Sequence, residues 1–346
     1  MSNNKILHIL YPEKFFRDYV HFIAENFDSR EHLFLYLKTR GDEPSYPNVK
    51  RMRFYRIPIL FHWELYRLML AHNKVMLHSL SKKRIVNFLF LFPWFSKKCY
   101  WLLWGGDMYY RLSNTSSGSK KNLGNYMFSH VVKKLGYILT HIKGDVDIAR
   151  KEFGFKGFHY NCMLYPSNLF NDVALEKKSS EGLTILLGNS SHKSNNHKEI
   201  IDRIAYLRNS DVRIFCPLSY GSKRVAEDVA NYGNLVFGNK FIPLMNFISK
   251  NEYLELLGAV DVAIFNHWRQ QGVGNIISLL GLGKTVYLRQ EVTTWDMLVD
   301  KGITVKDVRT LDRLGLIHPS ERDVNVAIVK ACFSKEVLVE QYKDIF

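Results

Sequence analysis

Apolar runs four to six residues long recur along this chain, each ending in small or polar residues before a helical pattern begins. Ile6–Leu10 (ILHIL), Leu33–Leu37, Lys74–Leu77 and Cys99–Trp104 form one series; Leu183–Leu187 (LTILL), Val212–Cys216, Val262–Phe265 and Thr285–Leu288 form a second. These runs lack the polar–apolar alternation of a half-exposed sheet, so they read as strands covered on both faces. Helices are expected from about Glu13 to Glu25, Ile85 to Phe95, His197 to Leu207, Tyr253 to Ala259 and Gly274 to Gly281, with Asp228 to Tyr232 inside another. Weaker patterns place strands at Arg53 to Arg56, Tyr137 to His141 and Asn234 to Phe237. Strands alternating with helices build a parallel sheet with helices on both faces.

Between the two series, Asn161 to Ser180 relaxes into Pro166-Ser167-Asn168 and Glu176-Lys177-Lys178-Ser179-Ser180, which reads as a linker. With 346 residues the chain has room for two cores. The expected architecture is α/β, two Rossmann-like domains with a cleft between them. The domains are placed at 1–165 and 180–325, with a C-terminal helix at 326–346 that packs back on the N-terminal domain.

Open α/β sheets bind ligands beyond the carboxyl ends of their strands, so the strand-to-helix connections carry the first functional hints. Gly188 to His197 follows a buried strand with ten successive small or polar residues. Small residues there let backbone N–H groups approach a phosphate, and the next helix contributes the positive end of its dipole. The alternative is that Ser190, Ser194 and Asn195 serve as helix caps. The second connection, Arg269-Gln270-Gln271-Gly272-Val273-Gly274-Asn275, offers a planar guanidinium and two glycines for close backbone approach. Its spacing fails the GxGxxG dinucleotide fingerprint. It reads either as an anion grip or as a plain turn with a surface arginine.

A third segment, Trp101 to Tyr110, delivers Asp107 to the end of a strand in the N-terminal half. That carboxylate is a candidate general base on an acceptor hydroxyl, a hydrogen-bonding group, or a helix cap. His78, ending the preceding strand, is expected beside it, either as a catalytic neighbour or as a structural histidine. Ser113 to Lys121 (SNTSSGSKK) reads as a loop.

Charge narrows the partners. The formal net charge of +15 favours anionic ligands such as phosphorylated molecules, anionic lipid or nucleic acid. No RNP, zinc-finger or helix-turn-helix pattern occurs, so nucleic acid is not expected. Cys99, Cys162, Cys216 and Cys332 lie far apart without metal-ligand spacing, which argues against a disulfide framework or a zinc site. The N-terminus passes from Asn3-Asn4-Lys5 straight into a strand without a secretion signal, and a cytoplasmic location is expected. Ile85 to Phe95 (IVNFLFLFPWF) is too short for a span of about 20 residues. It reads either as a buried helix or as one dipping into a bilayer surface, flanked by Lys82, Lys83, Arg84, Lys97 and Lys98.

At these segments the sequence resembles glycosyltransferase family 56. The resemblance rests on Trp104-Gly105-Gly106-Asp107-Met108-Tyr109, on Ile185 to Ser190 with Ser194, Asn195 and His197, and on Arg269 to Gly274. Shorter agreements lie at Pro217 with Tyr220, at Tyr253-Leu254 and at Trp295-Asp296-Met297, so the likeness runs from about His78 to Ile303. The family's known activity moves 4-acetamido-4,6-dideoxy-D-galactose (Fuc4NAc) from dTDP onto lipid II of enterobacterial common antigen. The resemblance implies a GT-B fold and hexosyltransferase activity. It also implies a dTDP-sugar donor in the C-terminal domain and a polyprenyl-diphosphate-linked saccharide acceptor on the N-terminal side. A peripheral position on the anionic cytoplasmic face of the bacterial inner membrane is implied as well. Gly106 and Tyr110 stand where the family carries Ala and an acidic residue, which leaves an O-antigen or capsule repeat unit open as the acceptor.

The expected donor-binding residues are Gly188, Asn189, Ser190, Ser194, Asn195, His197, Tyr220, Arg269, Gln270, Gln271, Gly272, Gly274 and Asn275, and the expected catalytic residues Asp107 and His78. No cofactor is expected: no Asp-x-Asp pair is placed to hold a cation between phosphates, which suits metal independence. Two rivals remain at this level. One is a non-catalytic nucleotide- or lipid-binding protein of the same fold; the other, an oxidoreductase, is disfavoured by the missing GxGxxG.

Overall fold

The apolar runs pair as parallel strands in two separate sheets. The computed structural model describes residues 5–11, 15–37, 48–52, 56–113, 123–172 and 182–346. Two units divide the chain: Met1–Ser167 with Lys335–Phe346, and Asn168–Ser334.

In the first unit the strands are β1 (Ile6–Leu10), β2 (His32–Tyr36), β3 (Val49–Arg51), β4 (Lys74–His78), β5 (Cys99–Leu102), β6 (Tyr137–Leu139) and β7 (Phe158–Tyr160). They pair in the order β3-β2-β1-β4-β5-β6-β7. Its helices are α1 (Phe16–Asn26), α2 (Pro58–Leu70), α3 (Lys83–Leu91), α4 (Gly106–Ser113), α5 (Leu123–Lys134) and α6 (Lys143–Phe153). One face of the sheet (Leu7, Leu35, Val75, Leu77, Trp101) packs against Phe61, Leu65 and Met69 of α2, Phe88 of α3 and Phe128 of α5. Those three α2 positions are four residues apart, one stripe of a 3.6-residue period.

In the second unit β8 (Leu183–Leu187), β9 (Val212–Pro217), β10 (Phe241–Leu244), β11 (Val262–Phe265), β12 (Thr285–Leu288) and β13 (Lys306–Asp307) pair in the order β10-β9-β8-β11-β12-β13. Helices α7 (His197–Arg203), α8 (Lys223–Phe237), α9 (Lys250–Ala259), α10 (Val273–Gly281), α11 (Thr293–Val299) and α12 (Pro319–Cys332) accompany it. Ser249 and Glu252 form a capping box that starts α9. The last helix, α13 (Lys335–Lys343), belongs to the first unit, where Tyr342 Oη donates to Leu164 O at 2.7 Å.

Three expectations change. Asn234 to Phe237 is the last turn of α8, not a strand, because Val229, Ala230, Gly233 and Phe237 continue one buried helical face; the strand follows at β10. The third strand is Val49–Arg51 rather than Arg53 to Arg56, of which 53–55 lie outside the described residues. The Ile85 to Phe95 segment turns mostly inward, with Ile85, Val86, Phe88, Leu89 and Phe95 buried. Residues 12–14, 114–122 and 173–181 also lie outside the described residues, and with them the start of the first expected helix, most of the Ser113 to Lys121 loop and the Glu176 to Ser180 linker. Among the described residues no helix is long and apolar enough to cross a membrane.

Candidate functional site

In the second sheet β8 and β11 are neighbours at the point where strand order reverses. Connections from two such strands leave toward opposite faces, and the crevice between them is where open α/β sheets take their ligands. The Gly188 loop leaves β8 and the Arg269 loop leaves β11, so topology brings the two sequence-predicted loops to one edge.

Hydrogen bonds then lock them together. Ser194 Oγ donates to Gln271 Oε1 at 2.6 Å, and Gln271 Nε2 donates to Asn189 Oδ1 at 3.0 Å and to Ser190 Oγ at 3.1 Å. Asn195, almost wholly buried, is the hub of the first loop. Its Oδ1 accepts from Asn189 N at 3.2 Å and sits 2.9 Å from His267 Nε2, while its Nδ2 donates to Ser190 Oγ and His192 O. Ser190, Ser194 and Asn195 are therefore occupied in building the loop pair. None of the three caps α7, whose N-cap is Asn196.

Both glycines facing the crevice have a backbone reason. Gly188 has φ +68, and a Cβ there would lie 2.7 Å from His197 Nε2 and 2.9 Å from Asn195 Oδ1. Gly272 has φ +66, and its Cβ would lie 3.0 Å from Asn189 Nδ2. Gly272 is also the N-cap of α10 and supplies no side-chain cap, with Gly274 and Asn275 in the first turn. The first N–H groups of α10 are thus uncovered by side chains beside Asn189, with the helix dipole behind them.

The charge pattern is one-sided. Burial lowers His197 to about 4, and Nε2 of that ring has no hydrogen-bond partner among the described residues. His267 falls to about 3 through burial first and the nearby Arg269 second; His192 is lowered by the same two causes. All three imidazoles are neutral at pH 7, and Arg269, whose Nη1 donates to Gln270 O at 3.1 Å, supplies fixed positive charge. Gln270 Oε1 is buried without a partner among the described residues. Tyr220 is 59% exposed and joins through its carbonyl, which accepts from Ser191 N and Oγ.

Sequence reading missed three neighbours. Asn266 and His267 directly follow β11, and Arg289 directly follows β12. Arg289 donates to Asn266 Oδ1 and to Glu199 Oε2, each at 2.6 Å, and Asn266 Nδ2 donates to Glu199 at 2.9 Å. Their position just past a strand end was the available signal.

In the first unit Asp107 opens α4 and is buried. Its Oδ2 accepts from Leu80 N at 2.9 Å and from Trp101 Nε1 at 2.8 Å, and its Oδ1 from Met108 N at 3.2 Å. Burial raises its pKa, against bonds from Leu80, Trp101 and Ser79 that lower it. The carboxylate thus ties β5 and α4 to the Ser79–Leu80 turn, which leaves β4 at the first sheet's own reversal point between β1 and β4. His78 takes other partners. Side chains alternate along a strand: Leu77 shares the Trp101 face, and His78 points to the other. There it is fully buried, 2.7 Å from Tyr165 Oη and 3.2 Å from His8 Nδ1.

Two parallel doubly wound sheets, the second with its two loops joined at a reversal point, are the architecture of the GT-B fold. The same fold occurs in the Anabaena protein HepE, solved with UDP and glucose, at TM-score 0.70 and 10% identity, covering 99% of this chain and 98% of that one. Sucrose-phosphate synthase from Thermosynechococcus elongatus matches with TM-score 0.70, 10% identity and coverage of 99% and 98%. WaaG, a glycosyltransferase of lipopolysaccharide biosynthesis, matches with TM-score 0.66, 12% identity and coverage of 98% and 99%. A sequence model of the family described as 4-alpha-L-fucosyltransferase, glycosyl transferase group 56, matches residues 71–322. The chain belongs to that family, and it is a hexosyltransferase.

Proposed function

We propose that the enzyme transfers a 4-acetamido-4,6-dideoxyhexose from a dTDP-sugar to a polyprenyl-diphosphate-linked saccharide. The setting is assembly of enterobacterial common antigen or O-antigen at the cytoplasmic face of the inner membrane. The observation that carries this reading is the Gln271 lock between the Gly188 and Arg269 loops. It sets a guanidinium, a glycine turn and a helix N-terminus around one crevice, a donor set suited to a sugar diphosphate. As the glycosidic bond breaks, negative charge grows on the leaving diphosphate, and preorganised donors of this kind favour that charge. We assign this neutralisation to Arg269 and the α10 amides, with no metal ion.

On the acceptor side, Asp107 is proposed to position the Ser79–Leu80 turn, because its oxygens already accept from Leu80, Trp101 and Met108. His78, enclosed between Tyr165 and His8, is assigned a role in holding that edge.

A thermal-shift comparison of dTDP, UDP and GDP tests the donor class. A nucleotide at 100 times its Kd stabilises by about 2.7 kcal/mol. Selective stabilisation by dTDP, and turnover that survives EDTA, are expected. A response to GDP alone overturns the donor assignment, and turnover abolished by EDTA and restored by a divalent cation overturns metal independence.

A further inference from the structure

Helix α2 turns an apolar face outward. Phe61, Leu65 and Met69 lock it to the core. On the other side Ile59, Leu60, Trp63 and Leu70 are 81%, 37%, 62% and 59% exposed. A surface helix ordinarily carries polar residues there. The face continues onto its neighbours, since the His62 ring stacks 5.8 Å from Phe88 of α3 and Tyr66 meets Phe92 at 5.2 Å. Beyond that contact Leu91 and Trp94 are exposed, and Tyr126 of α5, 6.2 Å from Phe90, is exposed as well. Three adjacent helices thus share one apolar surface rather than scattered side chains.

The charge around it has one sign. From Arg56 to Lys98 the chain holds eight Lys and Arg against a single acid, Glu64. Lys74 and Lys98 turn inward onto backbone carbonyls, whereas Arg56, Arg67, Lys82, Lys83 and Lys97 are exposed. Arg67 lies on the same helical stripe as Trp63 and Leu70, at spacings of four and three residues.

We infer that this α2–α3–α5 face docks on an anionic lipid bilayer. Trp63 and Trp94 sit at headgroup level, Ile59 and Leu60 enter the acyl boundary, and the exposed cations meet lipid phosphates. A protein partner fits less well, because protein interfaces deplete lysine and here exposed lysines flank the apolar segments along the chain. In a parallel sheet each following helix starts at the carboxyl edge, so the first residues of α2 and α3 share an edge with the Ser79–Leu80 turn. Docking there presents that turn to the headgroup zone. The inference deepens the membrane part of the proposed function by naming the surface, and it rests on that part alone.

The test is flotation of the full chain with phosphatidylcholine vesicles, with and without phosphatidylglycerol, beside the double variant Trp63→Ser/Trp94→Ser. The parent is expected to float with anionic vesicles, with blue-shifted tryptophan emission, and to release as salt rises. The variant should partition at least about tenfold more weakly, the loss expected on removing two interfacial aromatics. It should keep its thermal response to nucleotide, which reports an intact fold. Equal flotation of parent and variant overturns the inference, as does a parent that binds no vesicle. A parent that self-associates through this face, and becomes monomeric in the variant without any vesicle effect, overturns it too. Vesicle binding is read without turnover, so its failure leaves the transfer reaction untouched, and failure of the nucleotide response leaves the docking surface untouched.

Discussion

Ser194 Oγ donates to Gln271 Oε1 at 2.6 Å, joining loops that leave different strands of the second sheet. That bond fixes which way the Gln271 amide faces, so that its nitrogen donates to Asn189 and Ser190. One side chain therefore satisfies three groups at the mouth of the crevice.

Replacing Gln271 by Ala removes all three bonds and loosens the loop pair, with the Asn195–His267 contact left in place and Arg269 untouched. Each lost hydrogen bond of this kind costs about 0.5–1.5 kcal/mol. We expect nucleotide affinity, measured by calorimetry, to fall about tenfold or more. Gln271→Glu should be worse than Gln271→Ala, because a carboxylate cannot donate to Asn189 and repels a diphosphate. Equal affinity in all three proteins argues against the lock.

Gly188→Ala places a methyl where His197 Nε2 and Asn195 Oδ1 already crowd the position, on a left-handed backbone. The strained backbone alone costs about 1–2 kcal/mol. Gly272→Ala has the same φ penalty but a looser contact, 3.0 Å to Asn189 Nδ2. Thermal denaturation should therefore rank Gly188→Ala below Gly272→Ala in melting temperature. The reverse order would show the first loop yielding more easily than its packing implies.

Asp107→Asn retains an oxygen that can accept from Leu80 N and Trp101 Nε1, while removing any capacity to take a proton. A positioning role predicts that kcat falls by less than about tenfold. General-base catalysis contributes about 10²–10⁴-fold. Asp107→Ala leaves the Trp101 indole and Leu80 amide without an acceptor and should lose about 1–3 kcal/mol of stability. A drop of a hundredfold or more in kcat for a stably folded Asp107→Asn would return Asp107 to the role of base.

Acid should destabilise the protein before its carboxylates titrate. Burial holds His32 and His197 at about 4 and His267 at about 3, against about 6.5 in the unfolded chain. Between those values the unfolded state binds protons that the folded state does not, so stability falls as pH drops through that window. Each such histidine contributes a slope of up to about 1.4 kcal/mol per pH unit. Asp107, raised by burial, works in the opposite sense, gaining stability as pH falls through its folded value toward its ordinary range. Denaturant midpoints between pH 7.5 and 5 measure the sum, and a flat profile would contradict the burial of these rings.

Arg269→Lys keeps the charge but loses the planar fork, so the resemblance of a point charge to a guanidinium is tested directly. We expect KM for the donor to rise by about tenfold, with the effect of Arg269→Ala larger still. A wild-type KM in the lysine variant would remove Arg269 from diphosphate recognition.

How much of this was written in the chain itself is clear at individual residues. LTILL at Leu183–Leu187, interrupted only by Thr184, and VAIF at Val262–Phe265 are short apolar runs bounded by turn residues, the pattern of a strand covered on both faces. Helix α2 was not legible. Apolar residues on both its inner and outer faces erase the 3.6-residue signal, so Pro58–Leu70 carried no readable period. The neighbouring Ile85 to Phe95 segment left burial and bilayer contact both open, because composition does not say which neighbour covers a face.

Local chemistry decided where strands, small-residue turns and glycines fall, since backbone sterics and burial act on a few consecutive residues. Tertiary structure alone decided that β8 lies beside β11, across two intervening strands of sequence, so that Gln271 reaches Ser194. It also gave His78 and Asp107 different partners, Tyr165 and His8 for one and Leu80 and Trp101 for the other. Pairing order and facing depend on how crossovers and helices pack at long range, and no local period encodes them.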